Sequence, residues 1–182
     1  MNIKIENTPN PNTLKFIPGV EVLKQHMIRN FSNKDDLNES TLAQQLFDIK
    51  GITNVFFGQY FISITKSAEE KWEEIQTPIL AKLVDHFLSE NPVLNTQQID
   101  IKKENDKLDI EKQIIELLNT RIRPAVAQDG GDIIYNRFED GVLYLELHGA
   151  CRGCPSSAIT LKQGIENMVK HFIPEVQSVE SI

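Results

Sequence analysis

The chain has 182 residues, of which 40% are hydrophobic and 25% charged, and its formal net charge is −7. This composition is typical of globular proteins, and the length suits either one domain or two of roughly 80–90 residues each. The acidic balance argues against nucleic acid or an anionic membrane surface as the main partner, because phosphate binding draws on lysine and arginine.

The first ten residues, MNIKIENTPN, show no pattern of a targeting segment. A secretory signal has an apolar core, and a transit peptide is rich in arginine and serine. No apolar run in the chain approaches the roughly 18 residues that a membrane-spanning helix needs. We therefore expect a cytoplasmic protein, with neither nucleic acid nor a membrane among its partners.

The first half of the chain predicts a mixture of strands and helices. Hydrophobic residues alternate with polar ones at 3–5 and again at 14–16, which favours strands. Ser40 is a suitable N-cap for a short helix. The β-rich runs within residues 52–66 flank a glycine and predict a hairpin. Apolar residues at helical spacing then predict a long helix at 72–88.

A polar stretch, ENPVLNTQQIDIKKENDK, separates the two halves of the chain. It is interrupted by Pro92 and its charges balance locally, which is typical of a linker. The sequence therefore predicts an α+β protein with two small domains of mixed helix and strand. We expect these domains at residues 1–90 and 108–182, joined by a polar linker at residues 91–107.

The second half predicts a helix, a hairpin, a cysteine-containing loop, a second helix and a closing strand. The apolar stripe from Ile110 to Ile122 predicts the first helix, and Pro124 is expected to follow its end. Asp140 and Gly141 form a strong hairpin signal between two β-rich runs. The last helix is followed by EVQSVESI, which predicts a short strand.

Both cysteines, Cys151 and Cys154, lie in the segment GACRGCPSS, between a predicted strand and a predicted helix. Pro155 suits the first helical turn, where its missing N–H costs nothing. The positive end of a helix dipole favours thiolate over thiol. Gly149 and Gly153 allow tight turns, so both sulfurs and several amide groups can face one point. Such a pair can form a reversible disulfide, hold zinc or ligate an iron–sulfur cluster.

The number of ligands separates these chemistries. Zinc sites and iron–sulfur clusters usually take four protein ligands, often all cysteine, and this chain has two cysteines. Of the four histidines only His148 is near the loop, and we interpret it as a solvent-facing residue at a strand end. If the pair holds a four-ligand centre, two copies must each provide half, at a symmetric dimer interface. A centre shared by separable subunits is released more easily, which suits delivery.

Longer stretches of the sequence resemble a known family. RIRPAVAQDGGDI, a hairpin, HGACRGCPSSAITLKQGIE and HFIPEVQSV resemble the NifU C-terminal domain of Nfu-type iron–sulfur proteins. TPNPNTLKFIPG and GITNVFFGQYFISITK are similar to the N-terminal domain that accompanies it. The resemblance implies a carrier, not an enzyme, that binds a [4Fe–4S] cluster between two protomers and passes it to apo-proteins. It gives the ligand role to Cys151 and Cys154 alone.

The implied partners are upstream cluster assembly proteins, apo iron–sulfur proteins as recipients, and a second copy in a cluster-bridged homodimer. Two other functions stay open on the residues themselves. A dithiol–disulfide oxidoreductase also has C-x-x-C at a helix start, although the chain lacks a thioredoxin-like βαβ surround. Zinc accepts the same four thiolates, which would make the chain a zinc-stapled interaction module.

Overall fold

The chain divides into two compact units, residues 1–98 and residues 99–182, and each has its own hydrophobic cluster. Both units mix helices with strands, so the predicted fold class is confirmed. The structure is a computed structural model, and it describes residues 2–24, 27–32, 34–95, 109–151 and 155–182, with backbone alone for residues 34–36 and 155–158.

The first unit is built on a five-stranded antiparallel sheet of order β1-β2-β5-β4-β3. Its elements in chain order are β1 (Lys4–Asn7), β2 (Thr13–Ile17), β3 (Arg29–Phe31), a 3-10 helix (Lys34–Glu39), α1 (Thr41–Phe47), β4 (Ile52–Phe57), β5 (Ile62–Lys66) and α2 (Trp72–Leu88). β4 and β5 form the predicted hairpin, in which Val55 lies opposite Ile64. These side chains and the apolar stripe of α2 belong to one core.

Ser40 caps α1 as predicted, because its Oγ accepts the N–H of Ala43 at 3.1 Å. The same hydroxyl donates to the carbonyl of Val93 at 2.6 Å, and Val93 is buried in the core of the first unit. The N–H of Asn95 donates to the carbonyl of Glu39 at 2.7 Å. The sequence assigned residues 93–95 to the linker, but Val93 packs in the core of the first unit and Asn95 is hydrogen-bonded to it. The domain limits themselves stay a prediction.

The second unit has a three-stranded sheet of order β6-β7-β8, in which β6 and β7 are antiparallel and β8 is parallel to β7. Its elements are α3 (Asp109–Leu117), a π-helical turn (Leu118–Ile122), α4 (Arg123–Gln128), β6 (Gly131–Glu139), β7 (Val142–Gly149), α5 (Pro155–Phe172) and β8 (Ser178–Ser181). Asp140 and Gly141 make the predicted hairpin turn, both with positive φ. Within the described residues, no helix has the length and apolar character needed to cross a membrane.

The expected helix end at Pro124 is wrong, because the helical path continues through this residue. Proline lacks an N–H, and its ring clashes with the carbonyl four residues earlier in a regular α-helix. The π-helical turn before Pro124 widens the helix, so that the N–H of Arg123 bonds the carbonyl of Leu118. The apolar stripe consequently stays buried on both sides of the proline, at Ile122 before it and at Val126 after it.

Candidate metal centre

Cys151 lies two residues after the end of β7 and before α5, as the sequence predicted. Its side chain is 6% exposed and belongs to the hydrophobic cluster of the second unit. Gly149 has a φ of +65°, which turns the chain at the end of β7. The next N–H, of Ala150, donates to the carbonyl of Gly130 at 3.1 Å. Cys154 lies outside the described residues, so the structure gives no sulfur–sulfur distance.

Gly131 provides the space in which the thiol of Cys151 lies. It is the first residue of β6 and pairs with Gly149 of β7. A Cβ built on Gly131 would collide with Sγ of Cys151 and would lie 2.9 Å from the carbonyl oxygen of His148. Any other residue at this position would therefore displace the cysteine.

From sequence alone, the two glycines of QDGGD at residues 128–132 indicate a turn. Gly130 confirms the turn, with a φ of +77°. The function of Gly131 was missed, because the residue it faces lies 20 positions further along the chain. The doubled glycine was the available signal: one glycine is needed for a positive φ and the other for close approach of a side chain.

A partly buried ion pair fixes the start of β6 beside this glycine. Nε of Arg123 donates to Oδ1 of Asp132 at 2.8 Å, and Nη2 donates to Oδ2 at 2.6 Å. Oδ1 also accepts the N–H of Ile133 at 2.7 Å. The hydrogen bond with Asp132 raises the pKa of the Arg123 guanidinium, despite partial burial. The sequence did not single out this pair, whose arginine follows the unexpected π-helical turn.

His148 was expected to face solvent, and the structure differs. The residue lies opposite Asp132 in the β6–β7 register, and its side chain is 18% exposed. Its Nε2 lies 3.5 Å from Oε2 of Glu146. Within the parts of the chain that the structure describes, no three histidine, cysteine, aspartate or glutamate side chains form a group suited to a metal ion.

Two family models together match most of the chain. "Scaffold protein Nfu/NifU N terminal" matches residues 3–91, and "NifU-like domain" matches residues 114–180. A solution NMR structure of a NifU-like protein from Saccharomyces cerevisiae is 27% identical in sequence. It covers 53% of this chain and 87% of its own, with a TM-score of 0.49.

Two relatives carry the name "NFU1 iron-sulfur cluster scaffold homolog, mitochondrial". The human protein is 46% identical over 185 residues, which cover 100% of this chain and 72% of that protein. The Drosophila sechellia protein is 44% identical over 184 residues. This chain spans 65% of the length of the Drosophila protein.

These names correct the expectation of a cytoplasmic protein, which is wrong: the relatives that match the whole chain are named as mitochondrial. That expectation rested on residues 1–10, but residues 4–7 form β1. By sequence identity over its whole length and by both domain matches, the chain belongs to the Nfu family of iron–sulfur cluster scaffold proteins.

Proposed function

We propose that the chain is a carrier, not an enzyme, that binds a [4Fe–4S] cluster between two copies of itself and transfers it to apo-proteins. The proposed ligands are Cys151 and Cys154. The observation that carries the proposal is the position of the Cys151 thiol over Gly131, where a single methyl group would collide with the sulfur. Membership of a family of iron–sulfur scaffolds supports the same chemistry.

The surroundings of Cys151 suit a sulfur ligand held in one place. The N–H of Ala150 is bonded to the turn at Gly130, and the Arg123–Asp132 pair fixes the strand that begins beside it. A ligand held by a preformed backbone loses little conformational entropy when it binds a metal. We infer that these contacts orient the thiolate before the cluster arrives.

The proposal of a second copy rests on the ligand count. The whole chain contains two cysteines, and an all-cysteine cluster needs four. Two identical chains supply four thiolates around a two-fold axis. Each chain then holds half of the ligands, so an apo-protein that offers its own thiolates displaces them stepwise. This arrangement favours transfer over permanent retention of the cluster.

The proposed partners are upstream cluster assembly proteins, which load the dimer, and apo iron–sulfur proteins, which receive the cluster. The first unit contains no cysteine and is proposed to recognise or position these partners. A chain without residues 1–90 tests this second point. Equal transfer rates from the shortened and the complete chain, to each recipient tried, would remove the role of the first unit.

The ligand assignment is tested by anaerobic reconstitution with iron and sulfide, followed by iron and sulfide counts and sizing in solution. The wild-type chain should form a coloured dimer with about two irons and two sulfides per chain. Cys151→Ser and Cys154→Ser should each lose the cluster and the dimer. His148→Gln is the matched control, and it should keep both, because only the cysteines are proposed ligands.

Transfer is tested by mixing the reconstituted dimer with an apo-enzyme whose activity requires a [4Fe–4S] cluster. Activity should appear in step with the loss of cluster from the carrier. A colourless monomer with a redox-active disulfide would instead identify a dithiol–disulfide oxidoreductase. A dimer that holds zinc and activates no apo-enzyme would identify a stapled interaction module.

A further inference from the structure

Gly164 lies inside α5 at a position where the fold of the second unit does not require glycine. Its φ is not positive, and a Cβ built on it would meet no atom within 4 Å. Glycine inside a helix is destabilising relative to alanine. Gly164 thus differs from Gly131, whose missing side chain is needed by a neighbour in the same unit. The space beside Gly164 is open to another molecule.

Three further exposed residues lie on the same side of the helix as Gly164. Residues four apart lie on the same side of an α-helix. Met168 is 39% exposed and Phe172 is 45% exposed, and none of these side chains is charged. We define the α5 stripe as the four residues on this side of the helix: Thr160, Gly164, Met168 and Phe172.

Two other sides of α5 are engaged within the unit. Ile165, Val169 and Ile173 are buried in its core. On a second side, Nζ of Lys162 lies 2.8 Å from Oε2 of Glu180. Glu166 there accepts the N–H of Val179 at 3.1 Å and forms an ion pair with Lys170. These contacts leave an outward, uncharged face of the helix, which contains the α5 stripe and also exposes Gln163, Asn167 and His171; Met168 and Phe172 of the stripe are its large apolar members.

The stripe has the composition of a protein–protein contact. Methionine, phenylalanine and arginine are enriched at the centres of interfaces. Arg121 lies beside the stripe, with its Cζ 4.7 Å from the ring centroid of Phe172. Nearer the start of the helix, the small residue Gly164 allows the backbone of a partner to come close. The stripe therefore combines large anchors with a place for tight approach.

We infer that the α5 stripe is the contact surface for the second copy of this chain in the cluster-bridged dimer, with Gly164 at the closest approach. This inference rests on the proposed function. Cys151 precedes the first residue of α5, Pro155, by four positions. A second copy that brings its thiolates to this loop therefore comes alongside the first turns of the same helix.

Charge also favours a second copy as the occupant. Each chain carries a net charge of −7, so two identical chains repel each other over most of their surfaces. A two-fold axis sets each patch against its own copy, which means that a charged patch would meet like charges. The uncharged α5 stripe meets itself without that repulsion.

The test compares variants of the complete chain after anaerobic reconstitution, with sizing and iron counts as readouts. Gly164→Ala adds a methyl group to open space, so it should raise the thermal midpoint of the apo second unit by about 2–8 °C. Gly164→Leu should weaken the holo dimer by about ten- to a hundredfold, because a large side chain blocks close approach. Met168→Glu should weaken it too, and salt should partly restore it.

Gln113→Leu is the matched control, because Gln113 is exposed and uncharged but lies on α3. It should dimerise and bind iron as the wild type does. Cluster-bridged dimers of normal strength in both Gly164→Leu and Met168→Glu would overturn the inference and leave the proposed function intact. Equal weakening by Gln113→Leu would also overturn it. A wild-type chain that assembles no cluster would remove the proposed function and, with it, this interface.

Discussion

Gly58 in the first unit and Gly131 in the second unit are both required by close contact, but the contacts serve different ends. A Cβ on Gly58 would lie 2.6 Å from Cε1 of Phe61, so this glycine allows an aromatic ring to pack over the strand. A Cβ on Gly131 would collide with the thiol of Cys151. A glycine that makes room for a neighbouring side chain thus permits hydrophobic packing in the first unit and positions a proposed cluster ligand in the second unit.

The cores of the two units differ in the same way. The core cluster of the first unit contains 20 of the described residues, all aliphatic or aromatic. The corresponding cluster of the second unit contains 14 described residues, and Cys151 is one of them. The candidate ligand is therefore part of the packing of the second unit. We expect changes near it to affect stability and cluster binding together, whereas changes in the first unit should affect stability alone.

Phe57→Ala should produce the largest loss of stability. Phe57 is fully buried, and its ring packs edge to face on Phe31 with 5.6 Å between centroids. Removing it should cost the first unit about 3–5 kcal/mol. Trp72 is the only tryptophan, so its fluorescence during urea unfolding reports on this unit.

Cluster content is the second readout of this variant. It should be unchanged in Phe57→Ala, because both proposed ligands lie in the second unit. Leu143→Ala, in the core of the second unit, is the control and should leave the Trp72 transition in place. A fall in iron content with Phe57→Ala would show that the units do not act separately.

A comparison of Gly131→Ala with Gly58→Ala tests the two glycines directly. Each added methyl group should destabilise its own unit by about 1–3 kcal/mol, because neighbouring atoms must shift. Only Gly131→Ala should also lose the cluster, since it displaces Cys151. Iron counts after reconstitution, read beside urea midpoints, separate the two effects. Full iron content in Gly131→Ala would contradict the proposed importance of this contact.

Arg123→Lys should have a smaller effect, confined to the second unit. Lysine cannot reproduce the bidentate contact with Asp132, so we expect a loss of about 1–2 kcal/mol in unfolding free energy. Arg137→Lys is the control, because its pair with Glu139 is exposed and its guanidinium stacks on Tyr144, with Cζ 3.8 Å from the ring centroid; together these should contribute about 1 kcal/mol or less. Urea unfolding followed by circular dichroism measures both. Equal losses of unfolding free energy would contradict the expectation that the Arg123–Asp132 pair stabilises the second unit more than an exposed pair does.

Features that depend on neighbouring residues could be predicted from the sequence. The cap at Ser40 and the turn at Asp140 and Gly141 follow from local hydrogen bonding and from backbone preferences. The contact of Gly131 with Cys151 could not be predicted, because it exists only after β6 and β7 pair. Strand β3 was missed for a similar reason: it is three residues long and is defined by its pairing with β4.

The path of the helix through Pro124 was missed for another reason. Proline is a reliable stop signal in a regular α-helix, and the sequence does not show that a π-helical turn will precede it. That turn is followed at once by Arg123, the partner of Asp132. Local signals thus predicted most of the elements, and the position of Cys151 between β7 and α5. The contacts that hold Cys151 in place arise from tertiary pairing.

The smallest expected effect is a difference in pH response between the units. Burial lowers the pKa of His86 below its ordinary value of 6.5, so the unfolded first unit binds a proton that the folded unit does not. Stability of the first unit should therefore fall as the pH drops below about 6.5. His86→Gln should reduce this dependence. The Trp72 urea midpoint, compared at about pH 7.5 and about pH 5.5, measures it.

The second unit should respond at the alkaline end. Burial and a 2.7 Å hydrogen bond to Oε1 of Glu111 raise the pKa of Tyr135 above its ordinary value of 10.0. The unfolded chain ionises this phenol first, so stability of the second unit should fall as the pH rises past about 10. Tyr135→Phe should flatten the curve there and leave the acid response of the first unit unchanged. If His86→Gln and Tyr135→Phe each altered both the acid and the alkaline response, the two units would unfold in one cooperative transition. That result would contradict the view that the units contribute separately to folding and to cluster chemistry.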